Sequence, residues 1–70
     1  MFYIVIETQV DSNEHVGVIP YAFTDYDAAL AKLYTVLSVA AASNLPYHAG
    51  HILRSDGILT DGRVFDRRGE

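Results

Sequence analysis

The chain opens on an apolar run, Phe2-Tyr-Ile-Val-Ile6, after which one face turns polar at Glu7 and Gln9. β-Branched and aromatic residues dominate it. Phe2, Ile4, Ile6, Thr8 and Val10 fall on one face of a strand, and Tyr3, Val5, Glu7 and Gln9 fall on the other. Asp11-Ser-Asn-Glu14 is a turn cluster, after which Val16, Val18, Ile19 and Tyr21 continue as a second strand. The two strands form a hairpin. Pro20 has no N–H to give a ladder, which assigns its strand to a sheet edge or a bulge.

The period changes after Phe23. Thr24-Asp-Tyr-Asp27 offers an N-cap hydroxyl followed by acids in the first turn, where the helix dipole favours them, and predicts a helix running to about Ala42. Tyr26, Leu30, Leu33, Leu37 and Ala40 or Ala41 make the stripe that covers the sheet. Leu45 precedes Pro46 and is pushed out of the α region, while Asn44 tolerates a left-handed cap, so the helix stops there. Tyr47 to Arg54 reads as a third strand, Ser55-Asp-Gly57 as a turn, and Ile58 to Arg67 as a fourth strand with an irregularity at Asp61-Gly62. The order ββαββ predicts an α+β two-layer sandwich, an antiparallel sheet packed on one helix, as a single domain over residues 1–70.

Size sharpens this picture. A chain of 70 residues buries only about 60% of the surface its unfolded state exposes. Half of its residues are hydrophobic and there is no cysteine for a disulfide framework, which leaves oligomerisation as the remedy. In residues 28–42 only Lys32 is charged, and Ala31, Thr35, Val39 and Ala42 stand where a surface helix carries charges. That face is expected to meet another subunit. The helix is too short for a membrane span, and the N-terminal run lacks a basic region before Glu7, so neither a signal peptide nor an anchor is expected and the predicted location is cytoplasmic.

Net charge is −4, which counts against direct nucleic-acid binding. The charge is unevenly spread. Residues 1–27 hold Glu7, Asp11, Glu14, Asp25 and Asp27 with no Lys or Arg, whereas all four arginines lie in residues 54–70. Arg54, Arg63 and Arg67 share one strand parity and are expected on one face, where guanidinium forks match phosphate oxygens. Tyr34, Tyr47, His48 and Ser43 near the helix end are the candidates for base or ribose contacts. The bland alternative for the arginines is a solvated hairpin with cross-strand Asp/Arg pairs.

No motif names a reaction. Ser12, Ser38, Ser43 and Ser55 sit in no nucleophile elbow, and there is no Walker loop or Rossmann glycine pattern. Glu7, Asp25 and Asp27 read as turn and cap residues. His48 and His51 lie three apart on a strand and so point to opposite faces, and His15 stands alone, so no metal and no other cofactor is expected. His48 reads as a hydrogen-bonded packing residue. The chain is not expected to be an enzyme.

The segment Lys32-Leu-Tyr-Thr-Val-Leu-Ser-Val-Ala-Ala-Ala-Ser43-Asn-Leu-Pro46-Tyr-His48-Ala resembles a family of small proteins of Firmicutes and their phages. Members open with a similar Tyr-Ile/Val-Val-X-Glu strand and carry an alanine-rich helix ending in Ser-X-X-Pro-X-His. Lys32, Ser43, Pro46 and His48 fit the pattern; the aromatic residue and histidine usual after the lysine are here Leu33 and Tyr34. The resemblance implies a phage-associated accessory protein in the bacterial host cell, of a kind that counters host defences. Combined with the residues, it gives a leading expectation: a non-catalytic homo-oligomer that sequesters a small phosphorylated, nucleotide-type immune signal between subunits. Two alternatives stand beside it. One is an acidic inhibitor whose N-terminal hairpin docks on a basic surface of a host defence protein such as a CRISPR-type nuclease. The other is a plain dimerisation module.

Overall fold

The computed structural model describes residues 1–68. Strands β1 (Tyr3–Val10) and β2 (Val16–Phe23) are followed by helix α1 (Tyr26–Ala42) and strands β3 (Tyr47–Arg54) and β4 (Leu59–Asp66). The four strands form one sheet in the order β2-β1-β3-β4, every neighbouring pair antiparallel. This is the α+β two-layer arrangement that the sequence predicts. β2 and β3 therefore run parallel on either side of β1, and α1 is the crossover between them. β2 is an edge strand, as Pro20 requires.

The register assigns the faces. Gln9 stands opposite His48, Glu7 opposite Gly50, Val5 opposite Ile52 and Tyr3 opposite Arg54, and these positions look toward α1. The core is Val5 and Ile52 from the sheet against Ala29, Leu33 and Val36 of the helix, flanked by Tyr3, Tyr21, Tyr26, Leu30 and Leu37. The predicted stripe is thus right in direction but incomplete, because Ala29 and Val36 belong to it. Gly50 is what lets the helix sit so close. A Cβ there would stand 2.8 Å from Val36 Cγ1 and 3.2 Å from Leu33 Cδ1, inside ordinary contact distance.

Three local details differ from the sequence reading. The helix N-cap is Asp25, not Thr24: the Asp25 carboxylate accepts from the Ala28 N–H at 3.2 Å. At the other end Ser43 is extended at φ −76° and ψ 151°, and its Oγ accepts from the Leu45 N–H at 3.0 Å, so the chain leaves the helix without a left-handed residue at Asn44. The exposed last-turn carbonyls are met instead by Arg67, whose guanidinium donates to the oxygens of Ala40 (3.1 Å), Ala41 (3.3 Å) and Leu45 (3.3 Å). The irregularity in β4 falls at Thr60, since Ile52 opposes Asp61 while Leu53 opposes Leu59. Asp61 accepts a hydrogen bond from the Tyr26 hydroxyl, tying β4 to the start of the helix.

The opposite face of the sheet carries no helix. Along it run Ile4, Ile6, Thr8 and Val10 of β1, Val16, Val18, Pro20 and Ala22 of β2, and their partners Tyr47, Ala49, His51 and Leu53 on β3. Val18 is 58% exposed and Val64, on β4, 44%. Among the described residues no helix is long and apolar enough to cross a membrane.

Candidate functional site

Glu7 and His48 form the one buried polar pair among the described residues, at 7% and 2% exposure. Both side chains lie beneath the helix because odd positions of β1 and even positions of β3 face it. His48 Nε2 donates to Glu7 Oε2 at 2.6 Å, and Gln9 Nε2 donates to the same oxygen at 2.9 Å. A carboxylate only accepts, so the proton in the short bond is carried by the imidazole nitrogen. Burial pushes the Glu7 carboxyl up, but the bonds from His48 and Gln9 outweigh it and leave the group below its ordinary value. His48 Nδ1 has no hydrogen-bond partner among the described residues. A pair enclosed in this way ties β1 to β3 beneath the helix. Glu7, which the sequence presents as a turn acid, is instead the counterpart of His48. The available signal was an acid inside a predicted strand, on the same strand face as Tyr3 and Val5.

Arg54 and the Arg67-Arg68 pair lie at opposite ends of the sheet, with Arg63 between them on β4. Arg54 lies opposite Tyr3 and bonds Asp56 at 2.6 Å, while Arg67 and Arg68 lie at the far end, where Val10, Tyr47 and Asp66 are neighbours. The expected convergence of Arg54, Arg63 and Arg67 is therefore not formed: Arg54 is separate. Arg63 and Arg67 do share a neighbour, with guanidinium carbons 5.1 Å and 5.5 Å from the Phe65 ring centre. Arg67 is also engaged as the helix cap described above. Arg68 lies 5.0 Å over the Tyr47 ring and makes a two-pronged bond to Asp66, which holds that carboxyl down at about 2. Of the other candidates, Tyr47 is at this end, Ser43 closes the helix beside it, Tyr34 is exposed on the outer helix face, and His48 is enclosed.

At this same end an open cleft of about 500 Å³ separates the β1–β2 turn from the start of β3 and the end of β4. Asp11, Ser12 and Glu14 line one side; Pro46, Arg67 and Arg68 line the other. The turn is rigidly made. Asp11 Oδ1 accepts from the N–H groups of Asn13 (2.8 Å) and His15 (3.0 Å), and these bonds with the His15 ring hold the Asp11 carboxyl below its ordinary value. Glu14 adopts φ 64°, a left-handed conformation that closes the turn. Arg68 is the residue that strand parity leaves out, because it follows the last strand position and turns back over Tyr47.

The acids of residues 1–27 do not make one patch. Glu7 is buried, Asp11 and Glu14 lie at the cleft end, and Asp25 and Asp27 lie at the helix start. Among the described residues no three His, Cys, Asp or Glu side chains are grouped to hold a metal ion. Ala31, Thr35, Val39 and Ala42 are all exposed on the outer helix face, Val39 at 55%. Glu70 lies outside the described residues. Compared with known proteins, the chain matches no family model, no curated protein and no solved structure.

Proposed function

We propose that this chain is a non-catalytic binding protein that holds a small phosphorylated ligand of nucleotide type in the cleft between the β1–β2 turn and the Arg67-Arg68 segment. The observation that carries the reading is the lining of that cleft. Arg68 and Arg67, each over an aromatic ring, stand across about 500 Å³ from the carboxylates of Asp11 and Glu14. A cleft of this volume suits a small molecule. The arginines favour phosphate oxygens, and the carboxylates favour the hydroxyl and amino donors of a sugar and base, so a nucleotide matches both walls where inorganic phosphate matches one. The separation of the acids around the molecule favours this reading over a docking surface for a basic protein. A part in countering host defence follows from the phage-family resemblance alone.

The test is calorimetric titration with a panel of linear and cyclic nucleotides. A charge-assisted bond contributes roughly 1.5 to 3 kcal/mol, so Arg68→Ala is expected to weaken binding about tenfold to a hundredfold. Arg54→Ala, at the other end of the sheet, is expected to bind as the parent does. A parent that binds no nucleotide, or an Arg68→Ala protein with parental affinity, overturns the proposal.

A further inference from the structure

The helix-free sheet face is larger than anything the ligand cleft needs, and its composition is unusual for a surface in water. In an antiparallel sheet with one covered face, the other ordinarily alternates to polar residues. Here the uncovered positions of β1 and β2 hold a single polar side chain, Thr8. On β3 and β4 the uncovered side adds Leu53, Leu59 and Val64, with Ala49 completely hidden between its neighbours. At the centre His51 lies across Gly62, where a Cβ would come 2.3 Å from the ring, so the middle of the face is flat. Among the described residues its charged side chains are Asp66 and Arg68, the latter over Tyr47; they sit at one corner and match each other.

We infer that this face is covered by the same face of a second copy, giving a helix–sheet–sheet–helix dimer. Three observations select that occupant. The first is charge: a face with no unmatched charge does not repel its own image and has nothing to attract a basic or acidic partner. The second is shape. Two sheets pack face to face, with their strands about 30° apart, when their twists agree, and a second copy brings the same twist and the same dimensions. The third is area. Four strands of eight residues span about 26 Å by about 19 Å, or about 500 Å² per copy and about 1,000 Å² in all, the size at which specific interfaces begin. An anionic membrane is the poorer match, since the chain carries a net −4 and the one arginine that reaches this face, Arg68, is paired with Asp66. The dimer goes beyond the ligand reading and stands without it: the cleft shares only Val10 and Val16, at the end of the face, with the proposed seam.

Val18 and Val64 are exposed in the single chain, so Val18→Glu and Val64→Glu are compatible with its fold, while in the dimer each places a charge in an apolar seam twice. Light scattering coupled to gel filtration at micromolar concentration is expected to give a dimer for the parent, a monomer for both variants, and a dimer for Val39→Glu on the outer helix face. Circular dichroism checks that each variant is folded; if a glutamate variant is not, Val18→Thr and Val64→Thr take its place, with an expected rise in dissociation constant of at least tenfold. A monomeric parent overturns the inference, whether or not it floats with phosphatidylcholine vesicles. So does a parent that Val39→Glu dissociates while the folded Val18 and Val64 variants stay paired.

Discussion

Replacing Glu7 with Gln tests the buried pair with the least change of shape. The amide oxygen, placed where Oε2 stands, still accepts from both His48 Nε2 and Gln9 Nε2, so what is lost is the charge on the acceptor. A hydrogen bond to a charged group contributes roughly 1.5 to 3 kcal/mol and a neutral one roughly 0.5 to 1.5, so the exchange costs about 1 kcal/mol at neutral pH. That is a large fraction of the roughly 3 to 5 kcal/mol a core this small supplies. With a urea dependence near 1 kcal/mol per molar for so short a chain, the midpoint falls by about 1 M. Acid provides the second reading. Because the folded protein holds the Glu7 carboxyl below its ordinary value, its contribution is complete above the unfolded value and disappears as pH falls through the folded one. The gap between parent and Glu7→Gln is therefore widest at neutral pH and closes on acidification below the ordinary carboxylate range. Asp11 and Asp66, also held low, are present in both proteins and cancel in the difference. Urea titrations followed by circular dichroism across that range decide the matter. Equal midpoints at neutral pH, or a gap that stays constant into acid, would refute the reasoning.

Two further substitutions probe the packing of the helix. Arg67→Ala strips the guanidinium from three backbone oxygens at the helix end and is expected to lower stability by about 1 to 3 kcal/mol, with Lys restoring only part because an ammonium cannot span all three; thermal melts measure both. Gly50→Ala drives a methyl group against Val36 and Leu33 and is expected to cost about 1 to 3 kcal/mol, read as a lower urea midpoint with native-like circular dichroism.

The element order was legible because a helical spacing of three and four stands out between segments rich in β-branched and aromatic residues that turn residues bound. Pro20 correctly marked an edge, and the three-residue spacing of His48 and His51 correctly put them on opposite faces. What stayed hidden was which side of β1 the helix takes. Ile4 and Ile6 rival Tyr3 and Val5 in apolarity, and only the contacts of Gly50, on another strand, decide between them. That choice carries Glu7 into the interior and leaves Ile4 and Ile6 outside. The arginines were misplaced as a group for a related reason. Parity along a strand sorts side chains by face but says nothing of distance along it, so Arg54 and Arg67 share a face and stand at opposite ends.

The central place of β1 bears on how the chain acquires its fold. β1 is made before both of its partners, yet it is paired on both sides, and its second partner, β3, arrives only after the hairpin and the whole helix have been synthesised. Until then the hairpin has apolar side chains on both surfaces and one open hydrogen-bonding edge on β1, the arrangement that recruits stray strands. Its other edge is guarded by Pro20. Closing β1 against β3, which brings Tyr3 near the start of the chain to Arg54 near its end, is thus the long-range step that sets the pace of folding, and a nascent chain stalled short of β3 is the species most prone to aggregate.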